Sequence, residues 1–197
     1  MPETSKKHSR DVLFWSGGKD AFLALRYLQD LTGRDPVLLT TYDDESERVP
    51  HQNIPIETIH RQALHLGLIL FTVPISYPAS NSAYLEAVQS HLDQIPFSID
   101  RLVFGDLHLT DIREWREEQF EGMGYRLLFP IWNRPFEELM NRLEEEEVAV
   151  KISSVMDDYS HIIEPGQLFN REFVEALPNS VDKMGETGEF HTEVLFG

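Results

Sequence analysis

Cysteine is absent from this chain of 197 residues. No disulfide, thiolate metal site, iron–sulfur cluster or protein-borne persulfide can therefore be built from it. Long apolar runs are also missing, since none approaches the roughly 20 residues that a membrane-spanning helix needs. The polar start (residues 1–10) leads into a predicted strand rather than an apolar signal segment. A cytoplasmic protein with no membrane partner is therefore expected.

Positively charged residues are scarce. The chain has 17 Lys and Arg against 34 Asp and Glu, a formal net charge of −17. An acidic surface repels the phosphate backbone of a nucleic acid, so a nucleic-acid partner is disfavoured unless a local basic patch exists. Hydrophobic residues make up 41%, which at this length is enough for a substantial globular core.

Apolar runs alternate with helical patterns along most of the chain. The apolar runs show little period-two alternation, which indicates strands covered on both faces. The alternation predicts an α/β fold with a doubly wound, mainly parallel, five-stranded sheet. Residues 131–197 are predicted to form a smaller carboxy-terminal lobe beside a domain of residues 1–130. The predicted strands are 12–15, 37–42, 68–75, 101–104 and 125–129, with a further strand at 148–155, and the predicted helices are 19–30, 55–66, 82–92, 111–121 and 135–147.

The first motif follows the first strand and opens the first helix, with the sequence Ser16-Gly17-Gly18-Lys19-Asp20. Such a junction presents backbone N–H groups at the positive end of a helix beside a lysine, which suits a bound phosphate. A Walker A loop cannot be fitted to it. The simpler interpretation is a glycine turn with an exposed lysine.

Other polar residues follow strands in the same way. Thr40-Thr41 ends the second predicted strand, and Gly105-Asp106 follows the fourth. In open parallel sheets ligands bind at the carboxyl ends of the strands. These residues are therefore expected to lie beside the first motif.

The second motif, Gly185-Glu186-Thr187-Gly188-Glu189-Phe190-His191-Thr192, lies near the end of the chain. Its carboxylates and its imidazole, set among glycines, can approach a ligand closely. The simpler interpretation is a glycine-flexible strand with exposed acids.

Together the two motifs resemble those of the diphthine–ammonia ligase family of ATP pyrophosphatases. Segments between them add to the likeness, which covers nearly the whole chain. The chain departs from the family's pattern at Ala21, where the loop usually has serine, and at Lys183-Met184 and Thr187, where Pro-Cys and Asn are common. The intermediate segments are 103–107, 113–117, 128–132, 169–173 and 177–178.

The resemblance implies that ATP activates a carboxylate as an acyl-adenylate, with release of pyrophosphate, and that ammonia then forms an amide and AMP. The implied cofactors are ATP and Mg²⁺, the latter held by Asp20 and Asp106. The carboxylate acceptor would be on elongation factor two if the source is archaeal or eukaryotic, and a homodimer is compatible with the family. The implied nucleotide-binding residues are Ser16, Gly17, Gly18, Lys19, Asp20, Thr40, Gly105 and Asp106. The implied catalytic residues are Lys19, Glu186, Glu189 and His191, and the implied substrate-binding residues are Arg113, Arg116, Gly185, Gly188 and His51.

Two other functions remain open at the level of sequence. One is an ATP pyrophosphatase that transfers sulfur or an amine to tRNA, against which the missing cysteine and the acidic charge count. The other is a regulatory module that binds ATP without turnover. Individual residues have simpler interpretations too: Asp20 as an acid in the first turn of a helix, and Arg113 or Arg116 in a surface ion pair with Glu117.

Overall fold

The computed structural model describes residues 9–197, so the expectation for the first eight residues lies outside the described part of the chain. Strands and helices alternate as far as the fifth helix, except that three strands follow one another between the first and second helices. The strands are β1 Ser9–Phe14, β2 Val37–Asp43, β3 Arg48–Val49, β4 Ile54–Pro55, β5 Leu70–Ile75, β6 Ser98–Val103, β7 Leu127–Leu128, β8 Val148–Val155 and β9 Phe190–Phe196. The helices are α1 Lys19–Thr32, α2 Ile56–Leu66, α3 Asn81–Leu92, α4 Thr110–Arg116, α5 Phe136–Glu145 and α6 Arg171–Ala176.

The main sheet is mostly parallel. β1 lies between β2 and β6, β2 also pairs with β5, and β6 pairs with β7, all in parallel. The short β3 and β4 add antiparallel pairs beside the end of β2, so the sheet has seven strands rather than the expected five. The polar stretch that contains them turns at Glu47, His51 and Asn53, all with positive φ. Strands of two residues carry too little periodicity to predict.

Apolar clusters cover both faces of this sheet. Along β1, Val12 belongs to one cluster and Leu13 to the other, because successive side chains of a strand point to opposite faces. Helices α1, α2 and α5 pack on the face of Leu13, whereas α3 packs on the face of Val12. Coverage on both faces explains why the strands read as continuous apolar runs.

The carboxy-terminal part forms its own small sheet. β8 pairs with β9 in antiparallel fashion, and neither strand joins the main sheet. Its apolar side chains Val150 and Phe190 belong to the same cluster as Leu13. The division of the chain at residue 130 stays a prediction. Within residues 9–197, no helix is both long and apolar enough to cross a membrane.

One predicted helix changes its character partway along. α4 ends at Arg116, and the chain continues as a π-helical turn over Glu117–Glu121. Single π-helical turns occur frequently beside functional sites. Here the turn buries Phe120 against Phe14 and Phe104 and lies just beyond Arg116.

Candidate functional site

A cavity of about 750 Å³ opens at the carboxyl ends of β1, β2 and β6. The first motif lies at its floor, and part of the second motif forms one wall. Predicted site residues that line it are Ser16, Gly18, Lys19, Asp20, His51, Gly105, Asp106, Arg116, Gly185, Glu186 and His191. The structure thus brings together motifs that are more than 160 residues apart in sequence, as the separation of 165 between Lys19 and Met184 illustrates.

The loop of the first motif is tightly packed. Gly17 has a φ of 81°, and a Cβ added there would lie 2.6 Å from Ile59 Cδ1. A Cβ on Gly18, the residue before α1, would lie 2.9 Å from the backbone oxygen of Thr192. The same threonine accepts a hydrogen bond from the Lys19 N–H through Oγ1, at 3.1 Å. Strand β9 therefore completes the loop.

Lys19 is buried, with 2% of its side chain exposed. Its ammonium donates to both carboxylate oxygens of Asp20, at 3.0 and 2.9 Å, and to the backbone oxygen of Met184. The rings of Phe169 and Phe190 flank the charge, with centroids 5.3 and 5.9 Å away. The simpler interpretation, an exposed lysine on a glycine turn, is therefore wrong.

The second motif is a folded turn rather than a flexible strand. Asp182 Oδ1 accepts from the N–H groups of Met184 and Glu186. Gly185 has a φ of 69°, and an added Cβ would lie 2.7 Å from the Phe190 oxygen, so a side chain is excluded at this position. This turn fixes the position of the Glu186 carboxylate.

Glu186 is held at the wall of the cavity. Its Oε1 accepts a hydrogen bond of 2.8 Å from the Leu107 N–H. Burial, with the negative charges of Asp20 and Asp106 adding to it, raises the pKa of Glu186 to about 7. Burial also raises the pKa of Asp20, against the opposing effect of Lys19. A carboxyl with a pKa near 7 suits proton transfer at neutral pH.

His191 has the opposite environment. Burial, followed by the charges of His51 and Lys19, lowers its pKa to about 4, while Glu189 opposes the change. Its ring centroid lies 5.9 Å from that of His51. At neutral pH His191 is therefore a neutral imidazole, able to accept a hydrogen bond from a substrate.

Glu186 and His191 are expected to give opposite dependences of stability on pH. Between about pH 4.5 and 7 the folded state holds a proton on Glu186 that the unfolded state has lost, so rising pH lowers stability. Between about pH 6.5 and 4 the folded state keeps His191 neutral while the unfolded state takes a proton, so falling pH lowers stability. The free energy of unfolding, measured with urea, should therefore fall less between pH 5 and pH 7 for Glu186→Gln than for wild type. Glu193→Gln, a buried acid paired with Lys151 outside the cavity, is the control. An identical pH profile for Glu186→Gln and wild type would contradict the perturbed pKa.

Five predicted residues do not line the cavity: Gly17, Thr40, Arg113, Gly188 and Glu189. The Thr40 hydroxyl donates to the Trp15 backbone oxygen at 2.6 Å and is buried. Arg113 pairs with Glu117 at 2.7 Å and stacks on Phe129 and Trp132, so the surface ion pair considered from sequence is what the structure shows.

Glu189 and Gly188 belong to the part of the second motif that does not line the main cavity. Glu189 Oε1 accepts from the Asp182 N–H at 2.9 Å, and the residue lines a separate cavity of about 680 Å³. Gly188 has a φ of 93° and shapes the turn. These positions give both residues a role in holding the turn, whereas their assigned catalytic and substrate-binding roles stay predictions.

The two predicted magnesium ligands already have cationic partners. Lys19 engages both oxygens of Asp20, and Arg116 engages both oxygens of Asp106. Over residues 9–197, no group of three or more His, Asp or Glu side chains is arranged to hold a metal ion. Mg²⁺ in nucleotide sites takes one or two carboxylates and completes its shell with phosphate oxygens and water. Asp20, with 29% of its side chain exposed, fits that requirement.

Gln62 supports the first motif from outside the cavity, and sequence reasoning did not identify it. It is 3% exposed on α2 and joins three segments. Its Oε1 accepts from Trp15 Nε1, and its Nε2 donates to the backbone oxygens of Gly17 and Val194. A glutamine between Ile59 and Ala63 on the apolar face of a predicted helix was the available signal, because polar groups are seldom buried without partners.

Comparison with known proteins gives little beyond this geometry. No known family and no curated protein matches the sequence. Among solved structures, the chain is similar to the U34-tRNA thiolase NcsA from Methanococcus maripaludis with its [4Fe-4S] cluster, at 14% identity and a TM-score of 0.43. The similarity covers 73% of this chain and 59% of that one, so this chain spans less than two thirds of the thiolase. Similarity at this level assigns no function.

Proposed function

We propose that this protein is an ATP-dependent ligase of the diphthine–ammonia ligase type, which cleaves ATP to AMP and pyrophosphate, adenylates a carboxylate and amidates it with ammonia. One observation carries the proposal: the nucleotide-type loop and the second motif form a single cavity. Lys19 joins them directly, through its N–H to Thr192 and its ammonium to Met184. Activation and acceptor chemistry therefore have a common site.

The nucleotide half of the reaction follows from the loop. Negative charge builds on the α-phosphate as the carboxylate oxygen attacks and the bond to pyrophosphate breaks. The positive charge of the Lys19 ammonium and the amino-terminal end of α1 lie at the cavity, where both stabilise that charge electrostatically. Bound Mg²⁺ would neutralise phosphate charge, with Asp20 as the ligand that this chain offers.

The acceptor half follows from the second motif. Ammonium must lose a proton before its nitrogen can attack the acyl carbon and displace AMP. Glu186, with a pKa of about 7, is suited to take that proton at neutral pH. The neutral imidazole of His191 on the same cavity can accept a hydrogen bond from the incoming ammonia or the acceptor.

The direct test is product analysis. The protein is incubated with ATP, Mg²⁺, ammonium and a set of candidate carboxylates, including elongation factor two that carries diphthine, and AMP, ADP and pyrophosphate are separated. The expected result is AMP and pyrophosphate in equal amounts, with AMP formation dependent on both ammonium and a carboxylate. ADP as the product would contradict cleavage between the α- and β-phosphates. Nucleotide binding with no product under any condition would favour the regulatory module.

Modification of transfer RNA is a weaker candidate function, because acidic side chains outnumber basic ones in the cavity. The cavity is lined by four acidic side chains (Asp20, Asp106, Asp111 and Glu186) against the basic Lys19 and Arg116, and the chain has a net charge of −17, which together disfavour a long polynucleotide. The chain also has no cysteine to carry sulfur. Addition of unmodified tRNA to the same assay separates the two: stimulation of AMP formation by tRNA, and not by a carboxylate, would replace the proposed acceptor.

A further inference from the structure

Asp106 and Arg116 form an ion pair at the wall of the cavity. Arg116 Nε donates to Asp106 Oδ2 at 2.7 Å, and Arg116 Nη2 donates to Oδ1 at 3.2 Å. The carboxylate and the guanidinium are 13% and 22% exposed. A bidentate pair of this kind fixes the plane of the guanidinium as well as its position.

Neighbouring groups hold the pair from both sides. The Arg116 guanidinium lies over the Phe104 ring, 4.4 Å from the centroid, which fixes its other face. Gly105 brings the Asp106 loop against α1, since a Cβ there would lie 2.8 Å from the Asp20 backbone oxygen. Arg116 is therefore held in place at the wall of the cavity.

Lys19 and Arg116, the two basic residues that line the cavity, differ in whether they have N–H groups free for a ligand. The three N–H groups of the Lys19 ammonium all have acceptors within the protein. Arg116 has five N–H groups, of which two go to Asp106 and one lies beside the Tyr84 hydroxyl. The remaining N–H groups belong to the same planar guanidinium at the cavity wall, and the paired oxygens of a phosphate or pyrophosphate suit such a donor group.

We infer that Asp106 is a positioning residue rather than a magnesium ligand: it orients Arg116, which binds the pyrophosphate part of the nucleotide. The inference rests on the proposed function, because it assigns the leaving group's contact within that site. It departs from the sequence-based expectation that Asp106 binds Mg²⁺. As at Asp20, both carboxylate oxygens of Asp106 are engaged by a cation, but Asp106 is only 13% exposed against 29% for Asp20, so a metal ion would reach it only by breaking the pair with Arg116.

Pyrophosphate binding without metal separates the two roles, because they predict changes of opposite sign. Asp106→Asn removes a negative charge from an anion site, so a carboxylate that only repels the ligand or binds metal would give tighter binding in EDTA. If Asp106 instead orients Arg116, the substitution should weaken pyrophosphate binding. Calorimetric titration with pyrophosphate in EDTA should show about tenfold weaker binding for Asp106→Asn, a loss of about 1.4 kcal/mol. Asp111→Asn, an exposed acid on the same cavity, is the matched control and should bind at least as tightly as wild type.

Further variants keep the test decisive. Arg116→Ala should lose as much affinity as the double variant Asp106→Asn/Arg116→Ala, because Asp106 acts only through Arg116. Arg116→Lys keeps the charge but loses the fork, and should bind pyrophosphate more weakly than wild type. In turnover, the Mg²⁺ concentration for half-maximal AMP formation should be the same for Asp106→Asn and wild type.

Specific outcomes would overturn the inference. Equal or tighter metal-free binding by folded Asp106→Asn, or a raised Mg²⁺ requirement in turnover, would make Asp106 a metal ligand or a bystander while AMP formation still supported the proposed function. No pyrophosphate binding by wild type would remove both the proposed function and this inference. A thermal unfolding midpoint matched to Asp111→Asn excludes misfolding as the cause of a loss.

Discussion

Lys19→Gln is expected to lower the rate of AMP formation by about 10²- to 10³-fold, because it removes a fixed positive charge from beside a developing anion. The loss should appear in kcat and in kcat/KM alike, since a charge that meets the α-phosphate acts mainly in the transition state. Lys151→Gln is the matched control, because that lysine pairs with Glu193 on the small sheet. The measurement is steady-state release of AMP and pyrophosphate at saturating ATP.

The structure shows why a second variant is needed. Lys19 also holds Met184 and therefore the turn that presents Glu186. Lys19→Arg keeps the positive charge and donors for the Met184 oxygen, and should recover part of the activity with an unfolding midpoint near that of wild type. Full activity in Lys19→Gln would refute the assignment of the loop, whereas equal loss in the glutamine and arginine variants together with early unfolding would assign Lys19 to structure alone.

Gln62→Leu is expected to reduce the free energy of unfolding by about 3 kcal/mol or more. Leucine fits the helix but leaves Trp15 Nε1 and the Val194 oxygen buried without their partner, at about 1–3 kcal/mol for each group. The Gly17 oxygen keeps its hydrogen bond from the Val194 N–H. The loop therefore loses only one of the two hydrogen bonds that this oxygen accepts. Chemical denaturation followed by tryptophan fluorescence measures the change.

Gln94→Leu provides the comparison, since Gln94 is exposed and bonds only to the backbone of its own neighbourhood. Its stability should stay within about 0.5 kcal/mol of wild type. Gln62→Glu is a further variant that keeps an acceptor for Trp15 but puts a carboxylate against two carbonyl oxygens, so it should destabilise as well. Wild-type stability in both Gln62 variants would show that the network contributes nothing.

Much of the fold was accessible from sequence because the strands of the main sheet are buried on both faces. Leu38 and Leu39 face opposite apolar clusters, so their segment is apolar throughout and reads as a central strand. β3 and β4 carry no such pattern and depend on tertiary pairing. The π-helical turn after Arg116 likewise follows from the packing of Phe120, which residue type alone does not specify.

The site was accessible only in part. Position after a strand correctly grouped the first motif with Gly105-Asp106, because parallel strands end at one edge. It could not separate Arg116 from Arg113, which are three residues apart on a helix and thus about 60° apart around its axis. One packs on Phe104 at the cavity and the other on Trp132 away from it. The buried Lys19 also contacts Met184, in a turn 165 residues away in sequence. The residues around Lys19 do not specify that contact.

The completion of the loop by β9 bears on how the chain folds during synthesis. The Lys19 N–H and the Thr192 hydroxyl that it contacts are 173 residues apart. At about 5–20 residues per second, the ribosome adds that length in roughly 9–35 s. The loop emerges early, and its Lys19 N–H must hydrogen-bond to water until β9 has been synthesised. A nascent chain stalled before residue 190 should therefore contain the strands of the main sheet but lack the β9 contacts of the loop, which would form in one late step of synthesis.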